Sequence, residues 1–354
     1  MILPRSPDDV TIPILALIPT VSTLIHSIHS AETMKTNLDK RFKFIVPIIT
    51  LFFAVQALAQ DKDGQREKAD FPESDIFLFE ITLGEKQMTV TNGKNVTAKK
   101  GYENQPYFTP QSKSFLFSQA DDYQTDVFEY FVESGETKRI TNSPNMEFSP
   151  QPSPDNQTIS FVTDGEGANQ SIWQINRDNL SPVWTLRHLA EREPVGYYSW
   201  NHATDKILFW SRYGFNVRLV DTTEKPTHYV SGDAVPTSPQ MIPKTDHFSF
   251  LHRQGNGQIW IKELNTETKA IRPLTPMVGN NTHYGWAPDG SIVMMEGSKL
   301  HRWHKNESDD GEWTEVADLQ PHGIKSATRV NVSPDGKWLA VVGIPVPETD
   351  TKSK

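Results

Sequence analysis

Ser333-Pro334-Asp335-Gly336-Lys337-Trp338-Leu339-Ala340-Val341-Val342 joins a turn to an apolar strand, and the same phrase returns along the chain. Ala287-Pro288-Asp289-Gly290 before Ser291-Ile292-Val293-Met294 repeats it with one change. Ser153-Pro154-Asp155-Asn156, Thr109-Pro110-Gln111-Ser112, Ile242-Pro243-Lys244-Thr245 and Asn201-His202-Ala203-Thr204 are weaker copies, each ahead of an apolar run. The second residues of the phrases stand at 110, 154, 202, 243, 288 and 334, at intervals of 44, 48, 41, 45 and 46. A period of roughly 40–50 residues carrying about four short strands is that of propeller blades, small sheets that cannot bury their faces alone. Within the phrase, Pro presets φ for the first corner of a turn, Asp bonds its own backbone, and Gly accepts the left-handed conformation. This predicts a hairpin between the inner two strands of each blade. Where Gly is missing, as at Asn156 or Thr245, another turn must serve, and Asn tolerates the same region.

Third strands are expected at Asp126 to Tyr130, Ser171 to Ile175, Asn216 to Val220, Gln258 to Ile261 and Lys299 to Trp303. Fourth strands are expected at Thr137 to Thr141, Val183 to Leu189, Thr227 to Ser231, Ala270 to Thr275 and Trp313 to Leu319. The phrase at 334 lacks an outer half of its own. Asp75 to Ile81, then Lys86 to Thr91, reads like Asp126 to Thr141 in miniature and can supply the missing strands. Pairing the two ends of the repeat region in one sheet closes the ring and leaves no open edge. The fold class is therefore all-β, a six-bladed β-propeller closed by N-terminal strands in the last blade.

Pro-Asp-Gly hairpins, a following strand, and Ile-Trp or Val-Phe in the third strand resemble the TolB-like six-bladed propellers over about residues 75 to 343. The resemblance implies that fold and, by analogy, action through protein contacts in envelope assemblies. Only Gln60 to Ser74 precede the first strand, without a domain of the size TolB carries there, so the analogy extends to the fold and not to translocation.

Ahead of the repeats, Lys35, Lys40, Arg41 and Lys43 precede the apolar stretch Phe44 to Ala59, which ends in Ala57-Leu58-Ala59. A basic head, an apolar stretch and small residues at the end describe a secretory signal peptide over 34–59, cut after Ala59. The apolar run is short for a bilayer span of about 20 residues, which argues against an uncleaved anchor. Met34 is then the expected start, with residues 1–33 an upstream extension, 60–74 a short linker and 344–354 a tail. The expected location is the periplasm or the exterior.

The chain has no Cys, so disulfides, thiol catalysis, thiolate metal sites and lipid attachment through Cys are all excluded. The net charge is −9; it becomes −10 for residues 60–354, because residues 1–59 hold five Lys/Arg and four Asp/Glu. Nucleic acid and anionic lipid are poor partners for such a surface. Hydrophobic residues at 36% with 25 Pro suit a turn-rich globular β protein.

Signatures of catalysis are missing: there is no Gly-x-Ser-x-Gly, no His-Glu-x-x-His and no phosphate-binding loop. Gly165-Glu166-Gly167 lies between strands and lacks the third glycine of a dinucleotide site. His301 and His304 fall on opposite faces of one strand, and Glu307, Asp309 and Asp310 read as a solvated acidic turn.

Stacking the phrases on their second residue exposes a pattern in the strand before each turn. Five positions back stand Gln105, Ser149, Tyr197, Ser238, His283 and Arg329; three back stand Tyr107, Gln151, Ser199, Gln240, Gly285 and Asn331. Two back all are apolar: Phe108, Pro152, Trp200, Met241, Trp286 and Val332. With strand period two, the polar positions share a wet face and the apolar ones pack between blades. In a propeller these strands line the central channel, so the polar set forms a ring near one mouth. Glu103 and Glu147, seven positions back, are expected to extend it. Glu103, Gln105, Glu147, Tyr197, His283 and Arg329 are thus the candidate ligand-binding residues, against the alternative of a water-filled channel with satisfied polar walls. A metal held by His283 and the two glutamates has suitable ligand types, yet no metal, cofactor or catalytic residue is expected. Pro154, Asp155, Pro288, Asp289, Gly290, Pro334, Asp335 and Gly336 are assigned to the structural turns.

Two function classes remain. The first is an exported, non-catalytic, monomeric binding or scaffold propeller, contacting a protein or an envelope saccharide. The second is a propeller enzyme of lactonase or metal-dependent uronate lyase type, working at the channel mouth.

Overall fold

Strands β1 (Asp75–Leu83) and β2 (Met88–Asn95) open the folded region, in a computed structural model that describes residues 70–346 except 86, 165–169, 187–193, 224–225 and 306–310. Blade I follows as β3 (Glu103–Phe108), β4 (Ser114–Ala120), β5 (Thr125–Phe131) and β6 (Thr137–Arg139). Blade II is β7 (Glu147–Pro152), β8 (Thr158–Thr163), β9 (Ser171–Asn176) and β10 (Pro182–Thr185). Blade III is β11 (Val195–Asn201), β12 (Lys206–Ser211), β13 (Asn216–Asp221) and β14 (Thr227–Ser231). Blade IV is β15 (Gln240–Met241), β16 (Phe248–Arg253), β17 (Ile259–Leu264) and β18 (Ile271–Pro276). Blade V is β19 (Tyr284–Trp286), β20 (Ile292–Glu296), β21 (Lys299–Lys305) and β22 (Gly311–Asp318). Blade VI takes β23 (Ile324–Val332) and β24 (Trp338–Pro345) from the end of the repeats and β1 and β2 from their start, in the order β2-β1-β24-β23.

All six sheets are four-stranded, with antiparallel pairing throughout, and they form a ring. The closure expected from the sequence is present: Asp75 pairs with Gly343 and Glu80 with Trp338 across the β1–β24 ladder. Hydrophobic clusters sit between blades, as the ring demands. Phe77, Phe79, Val293, Met295 and Leu339 join blades VI and V; Leu208, Trp210, Phe248 and Phe250 join III and IV; Leu116, Val127, Ile159 and Phe161 join I and II. Each sheet is sandwiched by two neighbours, so both of its faces are buried. The expected wet face is seen in β3 and β23, where half-buried Gln105, Tyr107, Arg329 and Asn331 alternate with buried neighbours, but not in β7 and β11, every residue of which is buried.

The repeated turns close as the phrase predicts. Gly336 and Gly290 take φ of 69° and 91°, while Asn156 and Ser112 take the same left-handed region without being glycine. Asp335 accepts from the Lys337 amide at 3.1 Å and Asp155 from the Gln157 amide at 3.0 Å. Ser333 and Ser153 hydroxyls each donate to those carboxylates at 2.6 Å. Pro154, Pro288 and Pro334 hold the first corner in each case. In blade IV the left-handed residue is Lys244 (φ 63°), one position before Thr245, as a type II turn requires of its third residue. In blade III it is Asp205 (φ 51°). Asp289 does more than turn the chain: its carboxylate receives the buried Arg302 guanidinium at 2.6 Å, which also donates to the Gly84 carbonyl of blade VI at 3.1 Å. Hydrogen bonds from Ser291 and the Arg302 charge hold the Asp289 carboxyl below its ordinary range, against the opposing effect of burial.

The upstream extension, the leader and its cleavage point, the Gly165-Glu166-Gly167 loop and the acidic turn at 307–310 lie outside the described residues. No helix among the described residues is long and apolar enough to cross a membrane.

Candidate functional site in the central channel

The ring of polar residues five positions before each turn occupies an irregular part of the inner strands. Register slips between Asn104 and Tyr107 in β3, Phe148 and Gln151 in β7, Val195 and Tyr197 in β11, and Ala327 and Arg329 in β23. Gln105 and Ser149 sit at these irregularities with left-handed φ of 59° and 53°. A bulge inserts an extra residue, breaks the alternation of faces and re-aims a side chain, a device common beside functional sites. Here it turns the polar positions toward the axis.

A cavity of about 50 Å³ on that axis is lined by Gln105, Ser149, Ser238, His283 and Arg329 from this ring, with Tyr107, Gln151, Gln240 and Asn331 from the next ring along. Thr237, from the connection between blades III and IV, joins them. It carries no repeat signal, since connecting residues fall outside the aligned phrase.

Arg329 organises this cavity. Its Nη2 donates to the Tyr197 hydroxyl at 3.1 Å, and its guanidinium carbon lies 5.1 Å from the centre of the Tyr197 ring. Arg329 belongs to blade VI and Tyr197 to blade III, which face each other across a six-membered ring, so the side chain spans the channel. Its Nη1 donates to His283 Nδ1 at 3.1 Å, where the Thr237 hydroxyl also lies at 2.8 Å. A guanidinium cannot accept a proton, so Nδ1 presents its lone pair and the imidazole proton is carried by Nε2. Burial, reinforced by the Arg329 charge, holds His283 well below the ordinary histidine range, so the ring is neutral. Burial likewise raises the Tyr197 hydroxyl above its usual range, against the nearby Arg329 charge, and keeps the phenol protonated.

Other polar groups of the ring are committed to the scaffold. The Gln105 side-chain carbonyl accepts from the Ser149 amide at 2.8 Å and from the Ser118 hydroxyl at 3.1 Å, stapling blade I to blade II. Asn331 accepts from the Phe108 amide at 2.9 Å, linking blade VI to blade I. Gln151 donates to the Tyr198 carbonyl at 2.9 Å, linking blade II to blade III.

Glu103 and Glu147 are not among the residues that line the cavity. Both precede the bulges, and the extra residue there removes the period-two relation that would have aimed them at the axis. The Glu147 carboxylate instead receives the hydroxyls of Thr141 and, at 2.7 Å, of Ser143 in the connection from blade I to blade II. Burial raises its pKa to about 7 despite those bonds. Glu103 is buried where its amide pairs with the Ser74 carbonyl at 3.0 Å, and its Oε2 has no hydrogen-bond partner. Burial, with the neighbouring Asp75 charge, pushes its carboxyl up to about 8. Among the described residues no three of His, Asp and Glu come together as a metal-binding group. His301 and His304 part as expected, the first buried and the second half-buried.

Comparison with solved structures places this geometry on a known fold. TolB from Acinetobacter baumannii superposes with a TM-score of 0.51 at 14% identity, over 77% of this chain and 64% of that one. A TolB-type protein from Agrobacterium tumefaciens superposes with a TM-score of 0.60 at 15% identity, over 77% of this chain and 99% of that one. The chain thus spans 64% of the length of the Acinetobacter protein and nearly all of the other. An oligogalacturonate lyase in complex with manganese reaches a TM-score of 0.46 at 13% identity, too distant to carry an argument. No family model matches the sequence, and no characterised protein matches it by sequence. At these identities the likeness establishes the fold, a TolB-like six-bladed propeller, and leaves activity to be argued from the site.

Proposed function

We propose that this chain is an exported binding propeller that docks a protein or envelope saccharide partner at the channel mouth formed by Tyr197, His283 and Arg329. The observation that carries the proposal is the Arg329 side chain, held across the channel by Tyr197 and His283 with N–H groups left over. A long, charged side chain fixed by an aromatic face and two neutral partners has already lost the rotamer freedom that binding would otherwise cost. Arginine and tyrosine in such positions are the residues that dominate recognition surfaces. Export follows from the leader at 34–59, with the mature chain beginning at Gln60.

The enzyme reading draws less support from the same residues. General acid–base or metal chemistry needs converging carboxylates or imidazoles, and the described residues that line the cavity include one imidazole and no carboxylate.

The test is crosslinking and pull-down from envelope extract with tagged residues 60–354 beside a His283→Ala/Arg329→Ala double variant. A partner captured by the wild type and lost by the folded variant is the expected result. Equal capture by both removes the channel mouth from the reading.

A further inference from the structure

Among the described residues, Arg329 is the only cation lining the channel cavity, and no Asp or Glu stands beside it there. Its partners among the described residues are neutral, an imidazole nitrogen and a phenol oxygen. A half-buried guanidinium without a counter-charge, in a narrow protein-walled space, leaves a positive potential focused on that space. The fork of remaining N–H groups has the geometry that pairs with a planar oxyanion.

Blade II, one blade removed from blade VI, carries an unpaired polar group beside the same cavity. Ser149, only 5% exposed, lines the same cavity, and its hydroxyl is buried without a hydrogen-bond partner. Buried hydroxyls are nearly always paired, so an orphan on a residue that lines a cavity marks a place where something else can complete the bond. The left-handed bulge that carries Ser149 spends its amide on Gln105 and leaves the hydroxyl without a partner.

We infer that Arg329 and Ser149 form a subsite for a single ligand carboxylate at the channel axis. The inference rests on the channel-mouth reading and gives it a ligand chemistry. One guanidinium balances one negative charge, which suits a carboxylate better than a phosphate carrying about −1.5 to −2. The cavity of about 50 Å³ exceeds the roughly 10–15 Å³ that one water needs on the same measure, and fits an end group rather than a whole ligand. The carboxylate therefore enters end-on. Two sources supply it: the C-terminus of a peptide chain, or a free small organic acid.

The test is isothermal titration of the purified chain with four probes: a tetrapeptide acid, its C-terminal amide, acetate and inorganic phosphate. The expected result is saturable binding of an acid that Arg329→Gln weakens roughly tenfold or more, the loss of a charge-assisted bond. Ser149→Ala removes no charge and is expected to weaken the same binding by roughly tenfold, which keeps the test open if Arg329→Gln does not fold. Tight binding of the peptide acid with loss on amidation assigns the chain end as the source; equal binding of acetate assigns a free acid. The inference is overturned if acid and amide bind alike, if phosphate binds more tightly than either acid, or if the folded wild type takes up no acid. Partner capture that depends on the mouth while acid and amide peptides bind alike would leave the docking reading and remove the carboxylate. Acid binding at Arg329 without any mouth-dependent partner would do the reverse.

Discussion

Glu103 shows what a single buried group does to the whole stability curve. Its carboxyl is pushed up to about 8, mainly by burial, so the folded chain holds a proton there that the unfolded chain releases near the ordinary value of 4.5. Glu147, raised to about 7 by burial, acts in the same direction. For an acid whose pKa rises on folding, the native state binds more protons, and stability is full below the unfolded value and lost as pH climbs through the folded one. The melting temperature should therefore fall from about pH 4.5 to about pH 8, and Glu103→Gln, neutral at every pH, should flatten that fall. A thermal melt series that rises over this window, or an unchanged slope in the variant, contradicts the assignment. Both glutamates looked like channel residues in the aligned sequence. Period two holds only while the strand is regular; Pro106 and Pro150, which cannot donate to a ladder, mark where β3 and β7 break, but not which side chains the extra residue re-aims.

At the scale of the hairpin, Gly290 and Gly336 occupy equivalent turns in different surroundings. Both have left-handed φ, yet a Cβ at Gly290 would meet nothing within 4 Å, whereas one at Gly336 would stand 2.9 Å from Leu83 and 3.2 Å from Pro288. Gly290→Ala is expected to cost roughly 1–2 kcal/mol for the backbone conformation alone. Gly336→Ala should add a packing cost on the order of 1–3 kcal/mol, and Gly336→Val more, because a branched side chain tolerates this φ least. Urea unfolding of the variants separates the two terms; equal losses at 290 and 336 would show that Leu83 and Pro288 give way. The turns with Pro-Asp-Gly were readable from residue chemistry, as was Asn156. Lys244 was not, because a lysine with φ of 63° is imposed by the strands it joins and by the proline before it.

For the whole ring, the decisive interface is the one that joins its ends. The β1–β24 ladder runs from Asp75 to Glu80, and Phe77, Phe79 and Ile81 fill the junction with blade V. Deleting residues 75–91 would strip blade VI of its outer half and leave the β24 edge unpaired, a template for pairing with another chain. The expected outcome is an unfolded or oligomeric product by sedimentation. A monomer as stable as the full chain would show that closure is dispensable.

The repeat by itself determined the number of blades, the position of every hairpin and the need for N-terminal strands in the last sheet. Those properties follow from local rules: turn chemistry, strand period and the burial that each small sheet must find in a neighbour. The polar ring was also visible, since its residues keep a constant offset from the turn. Only the tertiary structure decided which of them meet. Arg329 reaches Tyr197 because blades VI and III face one another, a relation between residues 132 apart that no periodicity encodes. Ser149 joins them because a bulge rotates it inward, and Glu103 and Glu147 leave the site for the same reason. A recognition site depends on distances across the fold, and those are set when the ring closes.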